Sequence, residues 1–387
     1  MSKLINILGQ YQAKLFTLNI IAKNRKDNFA VQKEFLDSLK EPKDDLERMI
    51  LKNRIQLRHT SFIKVFFNII SYIILPFFLL YVSLRRKPKK IEKTDILYLD
   101  CVNLNEVKPV ALEEEFPDYK IISYNHNFLL LRSDLKIIFK AIFKYKCPGW
   151  LLLRFTMKLS FYRYLIEKYH PKSIAITNEL SPTSTGLTFF CEQNNVEHIN
   201  FMHGEKFYSL EESFVHFHRF YVFDEHYKNN FLSLKASDNT LFIIHTPPNF
   251  IINTDRYRKE DNMTDFTYYL SGYSEEEFIG ISNIIEKLQK SGYTIKIRPH
   301  PRFNNYKLMN KFIPEEIIED PNTISIEESI SSCRHGMSVY SSVLYKCVIN
   351  NIPIVIDDIN YKEEFESLKD KKYIIFSKPF QLLSDII

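Results

Sequence analysis

The chain has 387 residues, 45% of them hydrophobic and 14% aromatic. That is too much apolar surface for wholesale disorder, and too long a chain for one core, since single cores stop growing near roughly 250–300 residues. The net charge of +5 is unevenly placed, with 18 Lys plus Arg against 8 Asp plus Glu up to Glu92, leaving 34 against 39 in the remainder. The net acidic remainder disfavours nucleic acid as a partner, and five cysteines without a C-x-x-C pair fit reduced thiols in a cytosolic compartment rather than a disulfide framework.

Residues 1–92 read as a helical, basic, membrane-associating region. Leu4, Ile5, Ile7 and Leu8 are interrupted by Gln10, Gln12 and Lys14, a poor fit to a secretory signal. Apolar positions spaced as Phe35, Leu36, Leu39, Leu46, Ile50 and Leu51 predict helices. Val65 to Leu84 carries no charged side chain and leads into Arg85, Arg86, Lys87, Lys89 and Lys90. The stretch is long enough to span a bilayer. Spanning would carry the 13 Lys plus Arg of residues 1–64 across with it, and Asn68, Ser71 and Pro76 interrupt the apolar run. A monotopic or re-entrant helix pair on an anionic membrane surface is therefore expected, with a buried hydrophobic helix as the other reading.

From Lys93 short apolar runs alternate with helical stretches. Strands are expected at Ile96–Leu99, Lys120–Ser123, Ser173–Thr177, His198–Phe201, Arg219–Phe223 and Leu241–Ile244, and helices at Ser133–Tyr145, Trp150–Tyr169, Ser184–Asn194 and Glu225–Leu234. A polar linker follows over 246–265. The alternation then restarts with strands at Phe266–Leu270, Tyr293–Ile297, Ile317–Ile318, Gly336–Val339, Pro353–Ile356 and Tyr373–Phe376. Ser274 and Glu277 form a capping box that opens a helix. The expected organisation is thus α/β, with Rossmann-like domains over 93–245 and 266–387. They would face a cleft that takes a ligand at the carboxyl ends of the strands.

Arg298, His300 and Arg302, stiffened by Pro299 and Pro301 after a strand, are expected to bind a phosphate or diphosphate. Ser341 and Ser342 fall at a helix N-terminus, where unpaired N–H groups favour an anion; a plain N-cap serine is the alternative. Gly272, in the turn Ser271–Gly272–Tyr273, joins this phosphate-binding set. In the first half, Glu179 or His203 could take a proton from an acceptor hydroxyl, and Gly204 would let a ligand approach the backbone. The other histidines lack the spacing of a zinc site, so no metal is expected. Eight glycines with neither G-x-G-x-x-G nor a Walker A loop disfavour dinucleotide enzymes and P-loop NTPases, and no cofactor is expected.

The segments Arg298–Pro299–His300–Pro301–Arg302 and Ser341–Ser342 resemble the His-Pro and Ser-Ser/Thr motifs of bacterial sialyltransferases and related capsule and lipo-oligosaccharide transferases with the GT-B fold. The resemblance implies a GT-B-like architecture. It also implies an inverting, metal-independent glycosyltransferase that uses a nucleotide-sugar donor, a CMP-sugar favoured, and a glycan or glycolipid acceptor. His300, Ser341 and Ser342 would contact the donor phosphate, and an N-domain carboxylate would be the base. Such an enzyme would work at the cytoplasmic face of the bacterial inner membrane. Those sialyltransferases commonly carry an acidic pair followed by glycine, and here Asn178–Glu179–Leu180 is the nearest acidic loop. The chain is also similar to transferases of teichoic-acid polyol phosphates, which pair a His-Gly with a later His-Pro segment, as His203–Gly204 and His300–Pro301 do. That makes CDP-glycerol or CDP-ribitol an alternative donor. A non-catalytic factor in a membrane-bound assembly is the reading from a different class.

Overall fold

The computed structural model describes residues 27–58, 62–101, 104–125, 127–258, 263–270, 273–301 and 305–387. The apolar start of the chain, Gly272 and Arg302 lie outside the described residues. The chain divides into two compact units. The first runs to Gly204 and resumes over Tyr208–Pro247, and the second comprises Glu205–Phe207 and Pro248–Ile387.

The first unit is built on six strands, β1 (Ile96–Leu99), β2 (Tyr119–Ile122), β3 (Ser173–Ile176), β4 (Glu197–Phe201), β5 (Arg219–Val222) and β6 (Leu241–Ile244). They lie in the order β2-β1-β3-β4-β5-β6, and every pairing is parallel. The central strands β1 and β3 are buried at every position, whereas the edge strands β2 and β6 keep exposed residues. A parallel sheet covered on both faces needs this near-continuous apolar pattern. Helices at Arg132–Phe139, Gly149–Tyr169, Ser184–Glu192 and Glu225–Ser233 fill the connections. The helix expected over Ser133–Tyr145 ends in a π turn at Lys140–Lys144.

The N-terminal helices Phe29–Asp37 and Asp45–Gln56 are part of this unit. Leu36 and Ile55 bury with Tyr208, Leu210, Phe214 and Leu234 in one apolar cluster. Asp44 caps the second helix through the N–H groups of Leu46 and Glu47, each at 3.1 Å, a contact worth about 1 kcal/mol.

The apolar segment forms one helix, Phe62–Ser83, rather than a helix pair, and it lies along Gly149–Tyr169. Ser71, Leu75, Phe78 and Val82 are buried, spaced as one helical face. The opposite face, through Phe66, Ile69, Ile73, Phe77 and Leu80, is 57–61% exposed. Its polar interruptions serve this packing. Asn68 Oδ1 accepts from Trp150 N at 3.0 Å, and Tyr72 OH donates to the Cys147 carbonyl at 2.7 Å. Gly149 permits the close approach, because a Cβ there would stand 2.5 Å from the Asn68 carbonyl oxygen.

The second unit carries β7 (Thr264–Tyr269), β8 (Ile295–Arg298), β9 (Cys333–Ser338), β10 (Ile354–Ile356) and β11 (Gln381–Leu382), parallel throughout and ordered β11-β10-β9-β7-β8. Ser274 and Glu277 form the expected capping box of the helix Glu275–Lys290, whose Phe278, Ile281, Ile284, Ile285 and Leu288 bury against Ile295 and Ile297. Two expected strands are corrected. Ile317–Ile318 forms a tight turn after Pro314 and a single bridge, Ile297 to Ile318. Tyr373–Phe376 forms a 3₁₀ turn over Ile374–Ser377, and the last strand is Gln381–Leu382. Short apolar runs bury equally well in either conformation, so their pattern does not separate the two. Within the expected linker, 3₁₀ turns occupy Pro248–Phe250 and Thr254–Arg256, and the next strand begins at Thr264.

Candidate functional site

In each sheet all strands run the same way, so every loop after a strand leaves from one edge. In the first sheet the strand order reverses between β1 and β3, and in the second between β7 and β9. Ligands of open α/β sheets collect at such reversals.

In the first unit the β3 and β4 loops bring Glu179 and His203 together. Asn200, near the end of β4, receives Asn178 N on its Oδ1 at 2.9 Å and donates through Nδ2 to Glu179 Oε2 at 3.2 Å. Lys52, from the N-terminal helix Asp45–Gln56, donates to the Glu179 carbonyl at 2.5 Å, and Gln56 donates to the Leu180 carbonyl at 2.7 Å. So held, Glu179 has no exposed surface, and its two carboxylate oxygens each lie 3.3 Å from His203 Nδ1. The His203 side chain is 35% exposed. A carboxylate at Nδ1 assigns the ring proton to that nitrogen and leaves Nε2 as the proton acceptor. Gly204 has φ +68°, a left-handed backbone that glycine adopts without strain, and a Cβ there would meet nothing within 4 Å.

In the second unit β8, β7 and β9 are neighbours, so the loops carrying His300 and Ser341–Ser342 flank the loop after β7. His300 is partly buried, two residues beyond β8. Ser341 is the N-cap of the helix Ser342–Ile349, its Oγ accepting from Val343 N at 3.2 Å; Ser342 follows as an exposed residue of the first turn. Arg298 departs from the expected role of anion donor. Its side chain lies on the sheet face opposite Ile297, and its guanidinium donates to Glu319 at 3.3 Å and to the Ile324 carbonyl at 2.9 Å. Arg298 and Glu319 are each 7% exposed, and Ser329 Oγ donates to the same carboxylate at 2.5 Å. This buried pair ties the end of β8 to the segment that follows it.

Asn200 and Lys52 escaped the sequence reading because their contacts join residues 21 and 127 positions apart. Asn200 shares β4 with the polar Glu197 and His198, so its residue type alone gave no distinguishing signal. Among the described residues no three His, Cys, Asp or Glu side chains converge as a metal site.

No protein family matches the chain, and no curated protein does. Solved structures with a similar chain layout include three enzymes. The UDP-GlcNAc 2-epimerase of Methanocaldococcus jannaschii is 12% identical, covering 72% of this chain and 92% of its own, at a TM-score of 0.43. The lipopolysaccharide outer core galactosyltransferase WaaB is 8% identical, covering 68% and 80%, at 0.41. The wall teichoic acid polymerase TagF is 11% identical, covering 87% and 85%, at 0.39.

Proposed function

We propose that the chain is a nucleotide-sugar-dependent glycosyltransferase in which His203, held by Glu179, is the general base. The observation that carries this reading is the pairing of a buried carboxylate with a partly exposed imidazole at the ligand edge of the first sheet. His203 Nε2 takes the proton of an acceptor hydroxyl, while Glu179 orients the ring and offsets the imidazolium charge. The acceptor oxygen bonds to the anomeric carbon as the bond from that carbon to the nucleotide phosphate oxygen breaks, inverting the centre. The leaving phosphate takes the electron pair. Its charge is met by His300, the Ser342 hydroxyl and the Ser342 N–H at the positive end of the helix Ser342–Ile349. Arg298 acts behind this set as a brace. No step requires a metal.

The His-Pro and Ser-Ser segments favour a CMP-sugar as donor. A second reading, polyol-phosphate transfer from CDP-glycerol or CDP-ribitol, is favoured by His203–Gly204 preceding His300–Pro301 in the chain. Hydrolysis and transfer assays with CMP-, UDP- and GDP-sugars and with CDP-glycerol separate the two, the second yielding a phosphodiester. His300→Ala should fold normally, bind nucleotide weakly and lose activity; full activity in that variant rejects the donor-site assignment.

The acceptor is a glycan or glycolipid, and the enzyme works on the cytoplasmic face of the bacterial inner membrane. Support comes from the exposed apolar face of Phe62–Ser83, which continues directly into Arg85, Arg86, Lys87, Lys89 and Lys90, all exposed. An apolar stripe beside clustered cations fits an anionic bilayer surface.

A further inference from the structure

At the reversal between β1 and β3 a cavity of about 60 Å³ opens beside the helices Gly149–Tyr169 and Ser184–Glu192. Asp100 and Tyr124 line it with Lys158 and Phe161 of the long helix and with Asn178 and Ser181 after β3. The volume suits a few waters or a single oxyanion-sized group.

Lys158 sets the chemistry of this cavity. It is half-buried on a helix turn flanked by buried Phe155, Leu159 and Tyr162, and its Nζ donates to Ser181 Oγ at 3.1 Å. Among the described residues no carboxylate comes within ion-pair distance of it. A cation partly withdrawn from water is normally paired, because desolvating an unpaired ammonium is costly. Among the described residues the charged and titratable groups around it include Arg154 one turn back, which repels it, His198 of β4, the phenols of Tyr124 and Tyr162, which burial keeps protonated, and Asp100 at the rim, which attracts it. Asp100 is exposed and already accepts from Tyr124 N at 2.9 Å. Burial, and secondarily Arg154, push the Lys158 amine down to about 7. Ser184 also lines the cavity, with its N–H donating to the Ser181 carbonyl and its hydroxyl to the Asn178 and Ser181 carbonyls, so the donors left to a ligand are Lys158 and the Ser181 hydroxyl.

We infer that this cavity is an oxyanion subsite, which takes a carboxylate or phosphate-ester group of the acceptor between Lys158 Nζ and the Ser181 hydroxyl. Naming the ligand an acceptor rests on the proposed function; the binding of an oxyanion does not. The arriving anion supplies the missing counter-charge and favours the protonated amine.

Calorimetry on the full chain with sulfate, a dianion across the working range, provides the test. The wild type should bind sulfate at pH 6 and about tenfold more weakly at pH 8, as an amine that titrates near 7 loses its proton. Lys158→Met should weaken binding at pH 6 at least tenfold and flatten the pH dependence, and Lys158→Arg should retain binding at both pH values. Thermal melts establish that both variants fold. Glucuronate and glycerol 3-phosphate then distinguish the sources, since the tighter binder of the two identifies a carboxylate or a phosphate ester. Absence of sulfate binding to the wild type, or equal binding by Lys158→Met, overturns the subsite. Sulfate binding that depends on Lys158 in a chain that binds no nucleotide would keep the subsite and remove the transferase reading.

Discussion

His203 Nδ1 stands 3.3 Å from both carboxylate oxygens of Glu179, a residue that water does not reach. The two candidates for one role are therefore a pair, with the exposed member as base and the buried member as its support. His203→Ala should lower kcat by roughly 10²–10⁴-fold. Glu179→Gln, which can turn an N–H toward Nδ1 and favour the wrong tautomer, should lose activity by a comparable factor with unchanged nucleotide affinity. Steady-state kinetics with nucleotide calorimetry tests both. Full activity in His203→Ala beside an inactive Glu179→Gln would make the carboxylate itself the base.

Arg298→Ala should act on stability. Removing one partner of a buried pair leaves Glu319 uncompensated, at a cost of about 3–5 kcal/mol. Denaturant melts should show that loss, whereas His300→Ala should melt like the wild type. A stable Arg298→Ala with weakened nucleotide binding would restore the arginine to the donor site.

Gly149→Ala tests the seat of the apolar helix. The added Cβ would stand 2.5 Å from the Asn68 carbonyl oxygen and 2.8 Å from the Tyr72 ring, so Phe62–Ser83 must shift. Overpacking of this kind costs about 1–3 kcal/mol. A melt unchanged from the wild type would mean that the two helices are not packed this closely in solution.

Membrane binding should follow the exposed face and its basic flank. The double substitution Arg85→Gln, Arg86→Gln should weaken sedimentation with anionic vesicles by about 2 kcal/mol, roughly 30-fold, and added salt should shrink the difference. Ile73→Ser with Phe77→Ser should weaken binding to neutral and anionic vesicles alike. If the apolar pair changes oligomeric state and leaves vesicle binding intact, the face is a contact between copies.

Lys158 gives stability a defined pH slope. Its amine titrates near 7 in the folded chain, lowered by burial and then by Arg154, and near the ordinary lysine value when unfolded. Between those values the unfolded chain binds more protons, so the contribution of this group to stability rises with pH above 7 and is flat below it. Urea melts at pH 6, 7.5 and 9 should show the rise as a difference between the wild type and Lys158→Met. No difference in slope would mean that the amine keeps an ordinary value.

The six strands of the first sheet and β7 to β10 of the second were legible because strands such as Ile96–Leu99 and Leu241–Ile244 are short apolar runs set between helical spacings. The loops carrying Glu179, His203, His300 and Ser341 were legible for a related reason: in a parallel sheet the residue after a strand lies on the ligand edge wherever that strand sits. Tyr373–Phe376 was misread because four apolar residues bury equally well as a strand or a turn.

Local pattern and composition thus determined the strand and helix content, the loops of interest, and a long apolar segment with a basic flank. Tertiary structure decided that Glu179 and His203 are partners, that Arg298 belongs to Glu319, that no carboxylate among the described residues forms an ion pair with Lys158, and which face of Phe62–Ser83 is covered. Periodicity reports how often a side chain meets one face of its own element. Which group stands 3 Å away is set by strand order and helix docking, which join residues far apart in the chain.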